Sequence, residues 1–278
     1  MKAVCLHDRG EIERYLRRNT FLHIYALGDL DDFFWQYTTW YAFKDDRQQI
    51  TQLALVYTGM AQPVLLGITG ENESGIMREL LRAVRPYLPA SVYAHFSGDA
   101  ASALADSYRI ESRGLHYKMA LTDTSRLDSF DTSQVIALAA ADLGDLQRLY
   151  ASYPGNAFDP RMLETGQFFG IRLDEQLACA AGIHVYSSRY RVAAIGNVTT
   201  HPAFRKQGLA TVVCARLCQS LLQAVDHIGL NVKADNAPAI RCYEKLGFVQ
   251  IASYTEYDLI ADRSQSGRAL PEKTMRRF

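Results

Sequence analysis

The stretch Asn197-Val198-Thr199-Thr200-His201-Pro202-Ala203-Phe204-Arg205-Lys206-Gln207-Gly208-Leu209-Ala210 joins a β-branched strand to a helix through a short loop with two cations and a glycine. Pro202 cannot donate to a sheet ladder, so the strand ends there. Beyond the loop, Leu209, Val213, Leu217, Leu221 and Val225 recur every four residues, with Val212 and Leu222 beside them. That spacing predicts a helix over 208–225 that buries one stripe against a sheet. A helix start leaves N–H groups unpaired at the positive end of the dipole, which suits a phosphate. Gly208 and Ala210 let a diphosphate approach the backbone, and Arg205 and Lys206 add charge. An ordinary basic strand–loop–helix junction would have similar residues, so the loop alone does not decide the function.

Outward from this junction, the second half reads as helices over 141–150 and 161–166 and strands over 168–173 and 177–186 about the turn Asp174-Glu175-Gln176. A strand over 191–200, the long helix, a strand over 228–232, a helix over 238–246 and a strand over 249–259 complete it. The first half shows a similar order: a helix around 11–18, strands over 40–43, 50–57 and 64–68, a helix over 74–87, a strand over 92–96, a helix over 100–108 and a strand over 115–121. The aromatic-rich stretch 21–41 fits no single period. The Asp-, Thr- and Ser-rich segment 122–133 reads as a linker. The expectation is therefore an α/β chain with two domains of one architecture in tandem, each a mostly antiparallel mixed sheet flanked by helices. Their bounds are 1–125 and 134–262, followed by a basic tail over 263–278.

The composition is that of a globular chain, 48% hydrophobic and 22% charged with a formal net charge of zero over 278 residues. Such a balance gives no global field for nucleic acid or an acidic membrane, so the expected partner is a small molecule. The chain is expected to be a monomer or homodimer, a choice on which the sequence is silent. Cys5, Cys179, Cys214, Cys218 and Cys242 form no zinc-type pair, so no metal is expected and the thiols read as free and buried in a reducing compartment. The first residues make no secretory signal and no run reaches the length of a membrane span, so a soluble, cytoplasmic protein is expected. The chain has no GxxxxGK[ST], GxGxxG, HExxH or GxSxG, which removes support for nucleotide hydrolysis, dinucleotide, zinc-protease and serine-hydrolase chemistry.

A second segment, Asn236-Ala237-Pro238-Ala239-Ile240-Arg241-Cys242-Tyr243-Glu244-Lys245-Leu246-Gly247-Phe248, has an N-cap at Asn236, a proline in the first turn and a glycine stop at Gly247. Asn236 and Tyr243 are two helical turns apart and share a face. Together the two segments resemble the GNAT superfamily of acetyl-CoA-dependent N-acetyltransferases. Arg205-x-x-Gly208-x-Ala210 is similar to its Q/R-x-x-G-x-G/A loop, and Asn236, Ala239, Tyr243 and Gly247-Phe248 to its second element. The well-matched region runs over 141–259. In the first half the equivalent junction, Gly67-Ile68-Thr69-Gly70-Glu71-Asn72-Glu73-Ser74-Gly75, is acidic and reads as a copy that has lost cofactor binding. That layout is similar to relatives of glycine N-acyltransferase.

The resemblance implies acetyl-CoA, or another acyl-CoA, as cosubstrate. Its diphosphate would rest on the amides of Lys206, Gln207, Gly208, Leu209, Ala210 and Thr211 beside Arg205, and its pantetheine arm along Val198, Thr199 and Thr200. The Val198 amide would polarise the thioester, Tyr243 would protonate the leaving thiolate, and Asn236 would bind pantetheine or orient the site. The usual acid on the strand before the loop is missing from Arg191-Val192-Ala193-Ala194-Ile195-Gly196-Asn197, which leaves His184 as a candidate base by type, a structural histidine being its alternative. The acceptor, a small amine or amino acid, would meet Tyr153, Asn156 and Phe158. A protein N-terminus or lysine as acceptor, and a non-catalytic acyl-CoA sensor, are the alternatives.

Overall fold

Two strands of fourteen residues, Tyr108–Leu121 and Phe248–Ala261, lie antiparallel along their whole length, from Phe248 opposite Leu121 to Ala261 opposite Tyr108. The computed structural model describes residues 2–70, 73–151 and 158–262. Its first half comprises β1 (Val4–Leu6), α1 (Arg9–Leu16), α2 (Ile24–Gly28), α3 (Asp32–Trp35), β2 (Thr38–Lys44), β3 (Ile50–Tyr57), β4 (Val64–Gly67), α4 (Ser74–Val84), β5 (Ser91–Phe96) and β6 (Tyr108–Leu121). The second comprises β7 (Ile136–Ala137), α5 (Leu143–Ala151), β8 (Phe169–Leu173), β9 (Gln176–Ser187), β10 (Val192–Thr200), α6 (Leu209–Leu221), β11 (His227–Lys233), α7 (Ala237–Lys245) and β12 (Phe248–Ala261).

All twelve strands share one sheet in the order β1-β2-β3-β4-β5-β12-β6-β11-β10-β9-β8-β7. The β4–β5 and β10–β11 pairs are parallel and every other neighbouring pair is antiparallel. The closing strands have changed places: β12 pairs with β5 of the first half, and β6 pairs with β11 of the second. Each half thus reads as five of its own strands followed by the last strand of the other. This gives the expected tandem arrangement, with the two halves sharing a sheet.

Three apolar clusters follow from this layering. In the second half, Val213, Leu217 and Leu221 of α6 pack with Ala193, Ile195, Ile228 and Leu230. On the first half's sheet, Met77, Leu80, Leu81 and Val84 of α4 pack with Val92 and Phe96. A third cluster joins the halves: Ile12, Leu16, Ile24 and Leu27 of α1 and α2 lie with Val192 and Ala194 of β10. Because side chains alternate along a strand, α2 and α6 cover opposite faces of β10. Cys179, Cys214 and Cys218 are buried as their apolar context predicts, whereas Cys5 is exposed on the edge strand.

The structure corrects several element assignments. The helix expected over 100–108 is a 3-10 turn at Ala100–Leu104, and Tyr108 already belongs to β6. Arg109, Glu111, Ser112 and Arg113 give that strand no apolar alternation, and it is a strand because β12 pairs with it. The expected helix over 161–166 is likewise a 3-10 segment, Pro160–Thr165. In the stretch taken as a linker, Thr124–Ser129 forms a 3-10 turn with Leu127 buried. The unassigned stretch 21–41 contains α2 and α3 and begins β2.

The face of the central strands that meets α2 carries polar residues in register: Asn231 on β11, His116 and Lys118 on β6, Tyr254 and Glu256 on β12, and Tyr93 and His95 on β5. Burial lowers three histidines from an ordinary value of 6.5, His23 and His95 to about 3 and His184 to about 4. Lys118 depresses His23 and His95 further, and His116 and His184 add to the effect on His95.

Two predictions follow from this packing. Gly247, at φ +96, accepts the Thr122 and Asp123 amides, and a Cβ there would lie 2.0 Å from the Asp123 carbonyl oxygen. Gly247→Ala should therefore lower stability by more than about 2 kcal/mol in urea unfolding. The three histidines take up protons near pH 6.5 only on unfolding, so their stabilisation is complete above that pH and is lost as pH falls toward their folded values. Each should cost about 1.4 kcal/mol per pH unit in that window, which a fall in melting temperature from about pH 7.5 to about pH 5 would report. His184→Gln should flatten that fall.

Candidate active site

Strands β10 and β11 start side by side and then part. Their parallel pairing covers Val192 with His227, Ala193 with Ile228 and Ala194 with Gly229, and goes no further. Beyond it, β11 stays with β6 as far as Lys233. β10 instead follows β9 through register shifts at Ala194/Ile195 and Gly196/Thr199. Asn197 in this bulge has φ +52. Its side-chain amide donates to the Ile183 carbonyl at 3.0 Å, and its own carbonyl accepts from the Tyr150 hydroxyl at 2.9 Å. The bulge is thus anchored from β9 and α5, and a wedge opens between residues 195–200 and 230–233.

The equivalent strands of the first half stay closed. β4 and β5 pair from Val64 with Tyr93 to Gly67 with Phe96. Past that point Ser97 donates its amide to the Gly67 carbonyl at 3.2 Å, and Thr69 donates its amide to the Ser97 hydroxyl at 3.1 Å.

At the mouth of the wedge, the chain makes a 3-10 turn at Pro202–Phe204 and enters α6 through Lys206 at φ +66 and Gly208 at φ +79. His201 caps the turn, its Nδ1 accepting from the Ala203 amide at 3.3 Å. Residues 205–208 are exposed, and a Cβ built on Gly208 meets nothing within 4 Å. The amides of Lys206 through Ala210 donate to no partner among the described residues. The Thr211 amide, expected in the same cradle, is engaged at 3.0 Å by the Gly208 carbonyl. Arg205 turns back, its Nε donating to the Thr200 carbonyl at 3.3 Å. An open run of unpaired amides at a helix start, with Lys206 beside it, fits a diphosphate.

Tyr243 and Tyr25 approach the wedge from its two sides. Asn236 caps α7 by accepting from the Ala239 amide at 3.2 Å, and two turns later Tyr243 is 8% exposed within the α6-side cluster. Burial, then the thiols of Cys214 and Cys242 and the Tyr25 hydroxyl, hold the Tyr243 pKa well above its ordinary value, so it keeps its proton. Tyr25 comes from α2. Its ring lies 6.4 Å from that of His184, whose imidazole covers Gly196, and the Lys118 ammonium lies 5.0 Å from its centroid. His184 therefore faces the wedge on the α2 side, where burial keeps it neutral.

Val198 lies in the bulge, and Thr199 and Thr200 follow it, with Thr200 paired to Cys179. Tyr153 and Asn156 fall outside the described residues. Phe158 packs 5.0 Å from the Tyr150 ring and 5.5 Å from Phe168, within the core beside the bulge. Sequence reasoning missed Tyr25, Lys118 and Asn231. Lys118 and Asn231 sit in strands that read as apolar, and Tyr25 lies in the stretch without a period; only the sheet order brings the three together.

Residues 137–248 match the family model described as acetyltransferase (GNAT) family. No curated protein matches the chain by sequence. Among solved structures, an acetyltransferase from the GNAT family of Novosphingobium aromaticivorans is 21% identical with a TM-score of 0.54, over 75% of this chain and 88% of that one. A Drosophila protein superposes with a TM-score of 0.69 at 11% identity, over 93% and 98% of the two chains. A tandem GNAT protein from the clavulanic acid biosynthesis pathway matches over 97% and 99% at 13% identity, with a TM-score of 0.54. At such identities the likeness to solved structures is one of fold. The second half thus carries a match to the acetyltransferase (GNAT) family model over residues 137–248, and the chain as a whole has the fold of a tandem GNAT-like pair.

Proposed function

We propose that the chain is an acyl-CoA-dependent N-acyltransferase that acylates the amine of a small molecule, with acetyl as the acyl group. The observation that carries this reading is the β10–β11 wedge with free amides at its mouth, set against the closed β4–β5 pair of the first half. The amides of Lys206 to Ala210 hold the diphosphate, and the wedge side of β10 at Val198, Thr199 and Thr200 receives the pantetheine arm as an added strand would be received. Bound there, the cosubstrate supplies an activated acyl group as a thioester.

The Val198 amide polarises the thioester carbonyl. As the acceptor nitrogen bonds to the carbonyl carbon and the C–S bond breaks, the Tyr243 hydroxyl gives its proton to the departing sulfur. The proton lost by the amine passes by way of His184 and solvent back to the Tyr243 oxygen, so the enzyme is restored. Burial lowers the His184 pKa to about 4, so the imidazole is neutral and has a lone pair to accept the proton. Asn236 fixes the start of α7 and hence the position of Tyr243.

Thermal shift and thiol release test this directly. CoA should raise the melting temperature of the wild type and leave Gly208→Glu unchanged, because the new carboxylate fills the open side of the cradle. Tyr243→Phe should bind CoA as well as wild type and release thiol about a hundredfold more slowly in the presence of amines. Tight CoA binding without release for any amine would make the chain a sensor, and no binding at millimolar CoA would remove the reading altogether.

A further inference from the structure

Asp29, the C-cap of α2, is 8% exposed, and among the described residues no hydrogen bond or ion pair reaches its carboxylate. Asp258, equally buried, is paired with Arg113. Burial alone acts on Asp29 and raises its carboxyl from 3.8 to about 8. The negative end of the short helix adds to the cost of an anion there. Left empty, such a group keeps its proton and still lacks hydrogen-bond partners, whereas a cation beside it would hold it ionised and pair with it.

Where the carboxylate lies follows from the helix. Asp29 donates its amide to the Tyr25 carbonyl at 2.9 Å, one turn back, so the two side chains share a face of α2. The helix spans β10, with Ile24 against Gly229 of β11 and Gly28 against Val185 of β9. On that face Tyr25 lies beside His184 at the wedge, and Asp29 follows it toward β9. Burial raises the hydroxyls of Tyr25 and Tyr57, and the Asp29 charge adds to both, so the carboxylate is within electrostatic reach of each. Just beyond it in the chain, Asp31, Phe33 and Phe34 line a cavity of about 160 Å³ that Met162, Ile183 and Tyr186 close from the second half. Met162 and Ile183 both contact the Asn197 side chain, so the cavity abuts the bulge. Phe34 lies edge-on to Tyr57 at 6.2 Å, which ties the cavity wall to the surroundings of Asp29. A cavity of about 150 Å³ takes a benzene ring.

We infer that Asp29, supplied by the first half, is a catalytic residue of the acyl transfer, binding the acceptor as an ammonium ion and taking one proton from it before attack. The inference rests on the acyltransferase reading and deepens it, because an alkylamine is charged at neutral pH and has no lone pair until that proton leaves. The nitrogen then loses two protons in turn. The first passes from R–NH3+ to the Asp29 carboxylate, giving R–NH2 and a carboxylic acid that later releases the proton to solvent. The second leaves by way of His184 as the C–N bond forms and the C–S bond breaks. A carboxyl raised toward the range of an amine takes the first proton more readily than an ordinary one. The acid that β10 lacks thus comes from α2, on the face opposite α6.

Two acceptors of one shape test this. Phenethylamine is a cation at neutral pH, whereas O-benzylhydroxylamine has the same ring and chain length with an uncharged nitrogen. In the full chain at saturating acetyl-CoA, Asp29→Asn should lower kcat/KM for thiol release about a hundredfold with phenethylamine and less than about threefold with O-benzylhydroxylamine. CoA affinity should be unchanged, and the melting temperature should not fall, since the variant loses an unpartnered buried acid. Asp29→Ala should discriminate between the two nucleophiles in the same way. Equal losses with both, as a structural role would give, or no loss with phenethylamine would overturn the inference. Should neither be acylated, calorimetric titration decides the site: wild type should bind phenethylamine at least about tenfold more tightly than 2-phenylethanol, and Asp29→Asn should not. A missing preference, or one that survives in the variant, would overturn it. Absence of thiol release with every amine removes the acyltransferase reading separately, and the same titration still decides the carboxylate.

Discussion

Everything at the site depends on two parallel strands separating after three residue pairs. A parallel ladder normally continues as long as both strands do, and here β11 runs four residues beyond Gly229. The Asn197 bulge prevents it by turning β10 away. Asn197 keeps its left-handed backbone because its side chain is tied to Ile183 and its carbonyl to Tyr150, so the strained conformation is held from two elements at once. Edge groups left without a ladder partner are a template for an added strand, and the wedge offers such edges beside a helix N-terminus.

The exchange of β6 and β12 gives the site its second half. Had each half kept its closing strand, β12 would lie beside β11, and the residues facing Asn231 would come from the second half alone. Because β6 takes that place, Lys118 stands opposite Asn231, and Glu256 and His95 follow on the next two strands. The α2 helix closes the same face, Ile24 lying so near Gly229 that a Cβ there would sit 2.7 Å from its Cδ1. The polar face of the central sheet thus becomes an interior surface, and burial shifts its titratable groups: His95 stays neutral, and Lys118 falls to about 8. Desolvation dominates both shifts, with Glu256 opposing the fall at Lys118.

Much of this was legible in the sequence. The four-residue stripe of Leu209, Val213, Leu217 and Leu221, the Asn236 cap and the Gly247 stop are local signals, and the structure shows the elements they encode. The free amides between Lys206 and Ala210 were likewise readable from the loop's composition. The polar first part of β6 was not, because it becomes a strand only through its partner, and neither was the exchange, since alternation along a strand does not name its neighbour. Tyr25, Lys118 and Asn231 escaped for the same reason. They are far apart in sequence and come together only once the sheet order is known.

The central claim is that the second half alone opens its sheet to an acyl-CoA. Backbone hydrogen exchange with and without CoA tests it most directly. The account predicts new protection over residues 195–200 and 206–210, with exchange over residues 64–70 unchanged. Protection over residues 64–70, or none in the wedge while CoA is bound, would contradict it.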